Sequence, residues 1–289
     1  MKRAYPTWFA GGALLLYGVF ILLPSLLGLG FAFTDWNSYS TDVHWVGLDN
    51  FAAIFDPNST YFSAIENTVL FAVATIVLKT AIALALAVLL TSGVRRFAYL
   101  YRGLIYLPAV LPMIAVGIVF KSVLKPDDGM LNMALRFVGL GGLAQQWLTD
   151  TSLAIWSVIG VDTWKGVGYI MVILIAGVLA IPRDYYEAAS IDGASGWQAF
   201  RHITLPLLRP VLAVTTVLNL LYGLRVFDIV YVLTNGGPGY ATSTVYTTVF
   251  DSFGLGQWGV ATALSSVFVV VGLALSFLVV RLLRPSEVD

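Results

Sequence analysis

The sequence predicts an all-α polytopic membrane protein, and two observations carry that expectation. Hydrophobic residues make up 58% of the 289 positions and charged residues only 11%, whereas a water-soluble domain carries about a quarter charged. Six apolar runs of about 20 residues follow one another, the length a helix needs to cross about 30 Å of hydrocarbon. Lipid is therefore the solvent. The formal charge is zero and cysteine is absent, which leaves no electrostatic case for nucleic acid and excludes disulfides, thiolate metal sites and cysteine nucleophiles.

The expected spans are about 8–33, 68–91, 104–124, 153–181, 208–234 and 259–280. Lys2 and Arg3 resemble the start of a signal peptide, but the first apolar stretch is too long and lacks a small-residue cleavage site before Asp35, so it reads as a retained helix bent at Pro24. Trp8, Trp36, Trp147 and Trp258 fit an interfacial belt. No short repeat or inverted halves are visible, so 1–289 reads as a single transmembrane domain.

Basic residues set the expected orientation, because Lys and Arg resist translocation. Lys2, Arg3, Arg95, Arg96, Arg102, Arg183, Arg201, Arg209, Arg281 and Arg284 fall on one side; the opposite loops hold only Lys121, Lys125 and Arg136 among many carboxylates. Both termini and the loop 182–207 are thus expected to face the cytoplasm.

That loop is polar and rich in small residues. Pro182 can open a helix that Asp192-Gly193 breaks; Ser195 and Gln198 have capping-box spacing for a second helix, which Leu205-Pro206 is expected to stop. Ala188, Ala189, Gly193 and Ala194 would let another backbone come close, and Glu187 and Asp192 supply charge for orientation. Two explanations stand side by side: a socket for a soluble partner, or a capped loop whose charges are merely solvated.

Glu187-Ala188-Ala189, Asp192-Gly193-Ala194, Phe200, Ile203, Leu205-Pro206 and Pro210 resemble the EAA loop of permease subunits of binding-protein-dependent ABC importers. Residues 45–51 (WVGLDNF) and the stretch from Phe227-Asp228 to Gly236-Gly237-Pro238-Gly239 resemble the carbohydrate-uptake branch, the maltose and glycerol-3-phosphate type. The resemblance implies a coupling helix between spans 4 and 5, with Glu187, Ala188, Ala189, Asp192, Gly193 and Ala194 meeting a cytoplasmic ATPase subunit. It also implies a second permease, two ATPase subunits, an extracytoplasmic solute-binding protein, a carbohydrate solute and a place in a bacterial or archaeal cytoplasmic membrane.

No phosphate-cradling motif is present: Gly139, Gly141 and Gly142 lack the lysine and hydroxyl that would follow. ATP and Mg are thus expected on the partners, with no cofactor in this chain. His44 and His202 fall on opposite sides of the expected membrane, which leaves no metal site, and no catalytic arrangement argues for an enzyme.

Charges within spans cost about 2.5–3.5 kcal/mol each at the bilayer centre and should avoid lipid. Asp162 with Lys165, and Arg225 with Asp228, are three apart and are expected to pair along their helices. Asn219, Tyr222 and Tyr231 fall near the second pair, and Trp164 and Tyr169 offer aromatic surfaces. A translocation pathway lined by Trp164, Asn219, Tyr222, Asp228 and Lys165 is one reading; structural glue between helices is the other. Lys79 stands without an assigned role. Two other functional classes remain open: an ion-gradient-driven carrier using Asp162 or Asp228, and a structural permease subunit without solute contacts.

Overall fold

The computed structural model describes residues 9–93 and 97–283. Lys2, Arg3, Trp8, Arg95, Arg96 and Arg284 lie outside the described residues. Among the described residues, fifteen α-helices are connected by π-helical turns, one 3₁₀ turn and loops, and the extended structure is the isolated Thr34–Trp45 bridge. Among the described residues, four stretches are long and apolar enough to cross a membrane: Ala10–Phe31, Thr60–Ser92, Ala154–Leu179 and Trp258–Arg281. Two bent helix pairs bring the number to six if each is one span.

The chain divides into two compact units. The first comprises residues 1–62 and 248–270. Helix α1 (Phe9–Tyr17) passes through a π-helical turn, Gly18–Leu22, into α2 (Leu23–Phe31). Proline lacks an N–H and its ring crowds the carbonyl four residues back. For Pro24 that carbonyl belongs to Phe20, inside the π turn, so the irregularity precedes the proline rather than sitting on it. Asn50, in α3 (Asp49–Phe55), donates to the carbonyls of Ala32 and Thr34 at 2.9 and 2.8 Å, so the WVGLDNF segment satisfies backbone groups freed beyond the α2 end. Trp45 stacks on Phe33 with ring centres 5.3 Å apart. Asp35 accepts the His44 backbone N–H at 2.7 Å and faces its ring, and the backbone hydrogen bond holds its carboxyl below the usual range.

The second unit comprises residues 63–247 and 271–289. Its helices are α4 (Thr60–Val88), which starts in the first unit, α5 (Ala98–Val110), α6 (Met113–Val123), α7 (Met130–Phe137), α8 (Ala154–Leu179), α9 (Arg183–Ile191), α10 (Gly196–Ala199), α11 (Leu205–Leu207), α12 (Arg209–Leu224) and α13 (Asp228–Leu233). Helices α14 (Val245–Gly254) and α15 (Trp258–Leu283) run across the division between units. Helix α8 is the most buried span. One end packs Ile155, Val158 and Ile159 against Phe71, Val116 and Ile229; the other packs Ile170, Met171 and Leu174 against Ala83, Ala87 and Leu90. A Cβ on Gly168 would overlap the Ile105 carbonyl, so α5 and α8 meet at backbone contact, as small residues permit between membrane helices.

Three expectations about helix continuity need correction. The span expected at 104–124 is two helices bent by 95°. Leu111 precedes Pro112 and is extended (ψ 139°), because proline disfavours the helical region for its predecessor. The span expected at 208–234 breaks at 225–227, where Phe227 leaves helical geometry (φ −139°, ψ −63°). Thr244 donates to the carbonyl of Val226 at 3.0 Å and so satisfies one group the break frees. Finally, Leu205-Pro206 does not stop the helix after Ser195. The π turn Phe200–Thr204 holds the carbonyl that Pro206 crowds, that of His202, and helix resumes through Leu207 before a 66° bend into α12.

Candidate functional site

Two places in the second unit concentrate the residues singled out by sequence. The first is the elbow at 182–207. Pro182 is the N-cap of α9. At the other end Gly193 N–H donates to Ser190 and Ala194 N–H to Ala189, the two bonds of a Schellman motif, which demands a left-handed residue at Gly193 (φ +76°). Ser195 and Gln198 then form the expected reciprocal capping box: Gln198 Oε1 accepts the Ser195 N–H at 2.7 Å, and Ser195 Oγ accepts the Gln198 N–H at 3.3 Å. Tyr186 and Thr204 hydroxyls meet at 2.9 Å and tie α9 to the returning segment.

With the turn between α9 and α10 capped by its own neighbours, the elbow leaves its side chains uncovered. Glu187, Ala188, Asp192 and Gly193 are exposed, Ala189 and Ala194 half-buried. Ile191 and Trp197 are 87% and 68% exposed. A depression of about 300 Å³ is lined by Ala189, Asp192, Gly193, Ala194, Gln198 and His202, among others, and nothing stands within 4 Å of where a Gly193 Cβ would be.

The second place is a cavity of about 210 Å³ between α4, α5, α8 and α12, with Met113 of α6 at its edge. Asp162 does not pair with Lys165. Its Oδ2 lies 2.6 Å from Nζ of Lys79, and both side chains are almost wholly buried. Tyr222 donates its hydroxyl to Asp162 Oδ1 at 2.8 Å, while the Lys79 ammonium sits 4.6 Å from the centre of the Tyr222 ring. Lys165 instead donates to the Ala109 carbonyl at 3.2 Å, an acceptor released by the break after Val110. Spacing along one helix is a weaker constraint than burial: an unpaired ammonium at Lys79 would be far costlier than a half-exposed one at Lys165.

Among the described residues Arg225 and Asp228 form no ion pair within 4.0 Å, because the helical register that would bring them together is interrupted at 225–227. Both are exposed, and Asp228 begins α13, where the helix dipole favours a carboxylate.

Asn219, Tyr222 and Lys165 line the cavity, and so does Tyr169. Asn219 is 5% exposed and its Nδ2 has no hydrogen-bond partner among the described residues. Trp164 and Asp228 are not among the lining residues; the Trp164 ring packs 5.1 Å from that of Phe120. The residue that sequence reasoning missed is Lys79. Its signal was its isolation in an apolar helix, which requires a partner elsewhere in the bundle. Gly166, one turn beyond Asp162, carries the matching signal: a Cβ there would lie 2.7 Å from Lys79 Cε.

Comparison with known proteins is decisive for the family. Residues 79–287 match the family described as binding-protein-dependent transport system inner membrane component. The chain belongs to that family. This inner membrane component is 36% identical over 270 residues to the trehalose/maltose transport system permease protein MalF of Thermococcus litoralis, covering 91% of this chain and 88% of that one. It is 33% identical over 287 residues to the lactose transport system permease protein LacF of Rhizobium radiobacter, covering 96% and 94%. A chain of a bacterial ABC transporter involved in import of the acidic polysaccharide alginate shares its fold, with a TM-score of 0.81 at 24% identity over 94% of this chain and 92% of that one. The permease is thus a multi-pass membrane transport subunit with the fold of an ABC importer permease.

Proposed function

We propose that this chain is the permease subunit of an ATP-driven importer for a mono- or oligosaccharide or related polyol. The observation that carries the proposal is the match of nearly the whole chain to permeases named for trehalose/maltose and lactose. A cavity with aromatic and amide groups inside an otherwise apolar bundle supports it: Tyr106, Tyr169 and Tyr222 give faces for sugar rings, and Asn219 has an amide donor to spare. In this reading Asn219 and Tyr222 contact solute, with Trp164 and Asp228 farther along the pathway, and residues 1–289 act as a single permease domain.

The elbow at 182–207 is the docking surface for an ATPase subunit, with Glu187, Ala188, Ala189, Asp192, Gly193 and Ala194 in contact. Exposed small residues and the open space above Gly193 support that assignment. Both termini and the elbow face the cytoplasm. A second permease completes the pore, two ATPase subunits hold ATP and Mg, and an extracytoplasmic binding protein delivers solute; this chain itself carries no cofactor and performs no hydrolysis. ATP binding closes the ATPase pair, draws the docked elbows together and opens the spans outward. Hydrolysis and product release restore the inward-facing state. Coupling of binding is reciprocal, so docking of loaded binding protein favours the same state that ATP binding favours, and stimulated ATPase activity is its expected readout.

The test is ATPase activity of the purified complex in proteoliposomes with binding protein and maltose, trehalose or lactose. Stimulation by at least one sugar is expected. Uptake driven by an imposed ion gradient and indifferent to ATP would contradict the proposal.

A further inference from the structure

We propose that Lys79 and Asp162 are positioning residues that fix the Tyr222 ring at the cavity wall and thereby set solute affinity. This rests on the proposal that the cavity is the solute's path. Three helices contribute one group each: Lys79 from α4, Asp162 from α8 and Tyr222 from α12. The carboxylate divides its two oxygens, Oδ2 to the ammonium at 2.6 Å and Oδ1 to the phenol at 2.8 Å. The ammonium also sits 4.6 Å from the phenol ring centre, so Tyr222 is held at its hydroxyl and on its face by the same pair.

The arrangement is costly in a way that points beyond glue. Two charges taken out of water lose much of their mutual attraction to desolvation, and a buried ion pair is often no more stabilising than apolar groups of the same size. Glue alone needs no charge here. The pair instead gives a geometry apolar packing cannot give: an orientation for a tyrosine that is 40% exposed and would otherwise turn about its side-chain bonds. Gly166 belongs to the device. A Cβ at that position would lie 2.7 and 2.8 Å from Lys79 Cε and Nζ, so the end of the lysine would have to shift from where it meets the carboxylate.

A ring held in one orientation loses little freedom when a sugar packs on it, so preorganisation appears as affinity. Lys79 and Asp162 border the cavity too, but with side chains 4% and 1% exposed they act through Tyr222 rather than by touching solute.

The experiment uses the complete complex in proteoliposomes with whichever of maltose, trehalose and lactose drives the strongest uptake. The double variant Lys79→Met/Asp162→Leu removes both charges and keeps side chains of the same branching pattern. Its half-saturating sugar concentration should rise about tenfold, as expected when one well-oriented interaction with the sugar is removed, and by more than its maximal rate falls. Tyr222→Phe, which loses only the hydroxyl, should show the same shift.

A second measurement needs no transport: 3-fluorotyrosine at position 222 should give two fluorine resonances, one for each edge of the held ring plane that can carry the fluorine, and these should merge into one in the double variant as ring flips become fast. An unchanged half-saturating concentration in either variant, or a ring equally restricted without the pair, overturns the proposal. If the double variant fails to assemble, Tyr222→Phe decides alone. Leu218→Trp, which fills the cavity, separates this from failure of the pathway itself: unchanged uptake in that variant overturns both, whereas blocked uptake with wild-type affinity in the other two overturns the positioning role only.

Discussion

The elbow at 182–207 and the cavity around Asp162 solve opposite problems with the same kinds of group. In the elbow, the backbone of the turn between α9 and α10 is satisfied by neighbours a few residues away, and side chains such as Glu187 and Asp192 are left uncovered. In the cavity, the buried Lys79 and Asp162 are met by partners from distant helices, while Lys165 keeps its charge against the Ala109 carbonyl and an amide and an aromatic face remain over. A surface whose turn is capped locally but which presents unclaimed charge suits docking. A pocket that pairs its most buried charges and leaves donors and ring faces suits a polyol.

The comparison breaks most readily at Asp162. Asp162→Ala should destabilise the permease by about 3–5 kcal/mol, because it strands the Lys79 ammonium in the bundle. Thermal unfolding of the purified complex checks this, and Lys79→Met in the same chain should restore most of the stability. On the elbow side, Gly193→Val forces a β-branched residue into left-handed backbone at about 1–2 kcal/mol and places bulk on the proposed docking surface. Uptake should fall well below half while the protein still reaches the membrane, measured by transport and by quantitative blotting. Ser195→Ala removes one cap and should cost about 1 kcal/mol in local stability, read as faster amide exchange at Gln198, with uptake reduced less than by Gly193→Val.

The smallest effect expected lies in the other unit. The Asp35 carboxyl is held below its ordinary value of 3.8 by the His44 backbone N–H. A depressed carboxylate stabilises above that ordinary value, and its contribution disappears as pH falls through the lowered folded value. The Thr34–Trp45 bridge should therefore loosen only in acid below 3.8, measured as the protection factor of the Val46 amide. Equal protection on both sides of that window would remove Asp35 from the account.

The same contrast decides what was legible in the sequence. In the elbow a proline opener, an Asp-Gly breaker and a Ser-x-x-Gln box are all local signals, and the capping box formed as expected, whereas the stop expected at Leu205-Pro206 did not. Continuity of the spans was legible except where proline or a non-local acceptor intervened. Pro112 carried its signal openly, whereas the break at 225–227 is completed by Thr244, which no local window reaches. The cavity's charges were misassigned for the same reason. Lys165 is one turn from Asp162 along α8, but Lys79 comes from another helix, and only three-dimensional packing makes it the nearer partner. Local spacing offers candidate pairs; burial chooses among them.

The central claim is that the elbow is covered by an ATPase subunit in the working transporter. Because the chain has no cysteine, a single Ala188→Cys variant gives one thiol at the centre of that surface. Maleimide labelling in inside-out vesicles should be slow while the ATPase subunits are bound and fast once they are stripped away. Equal labelling in both states, or labelling only from the opposite face of the membrane, would contradict the account.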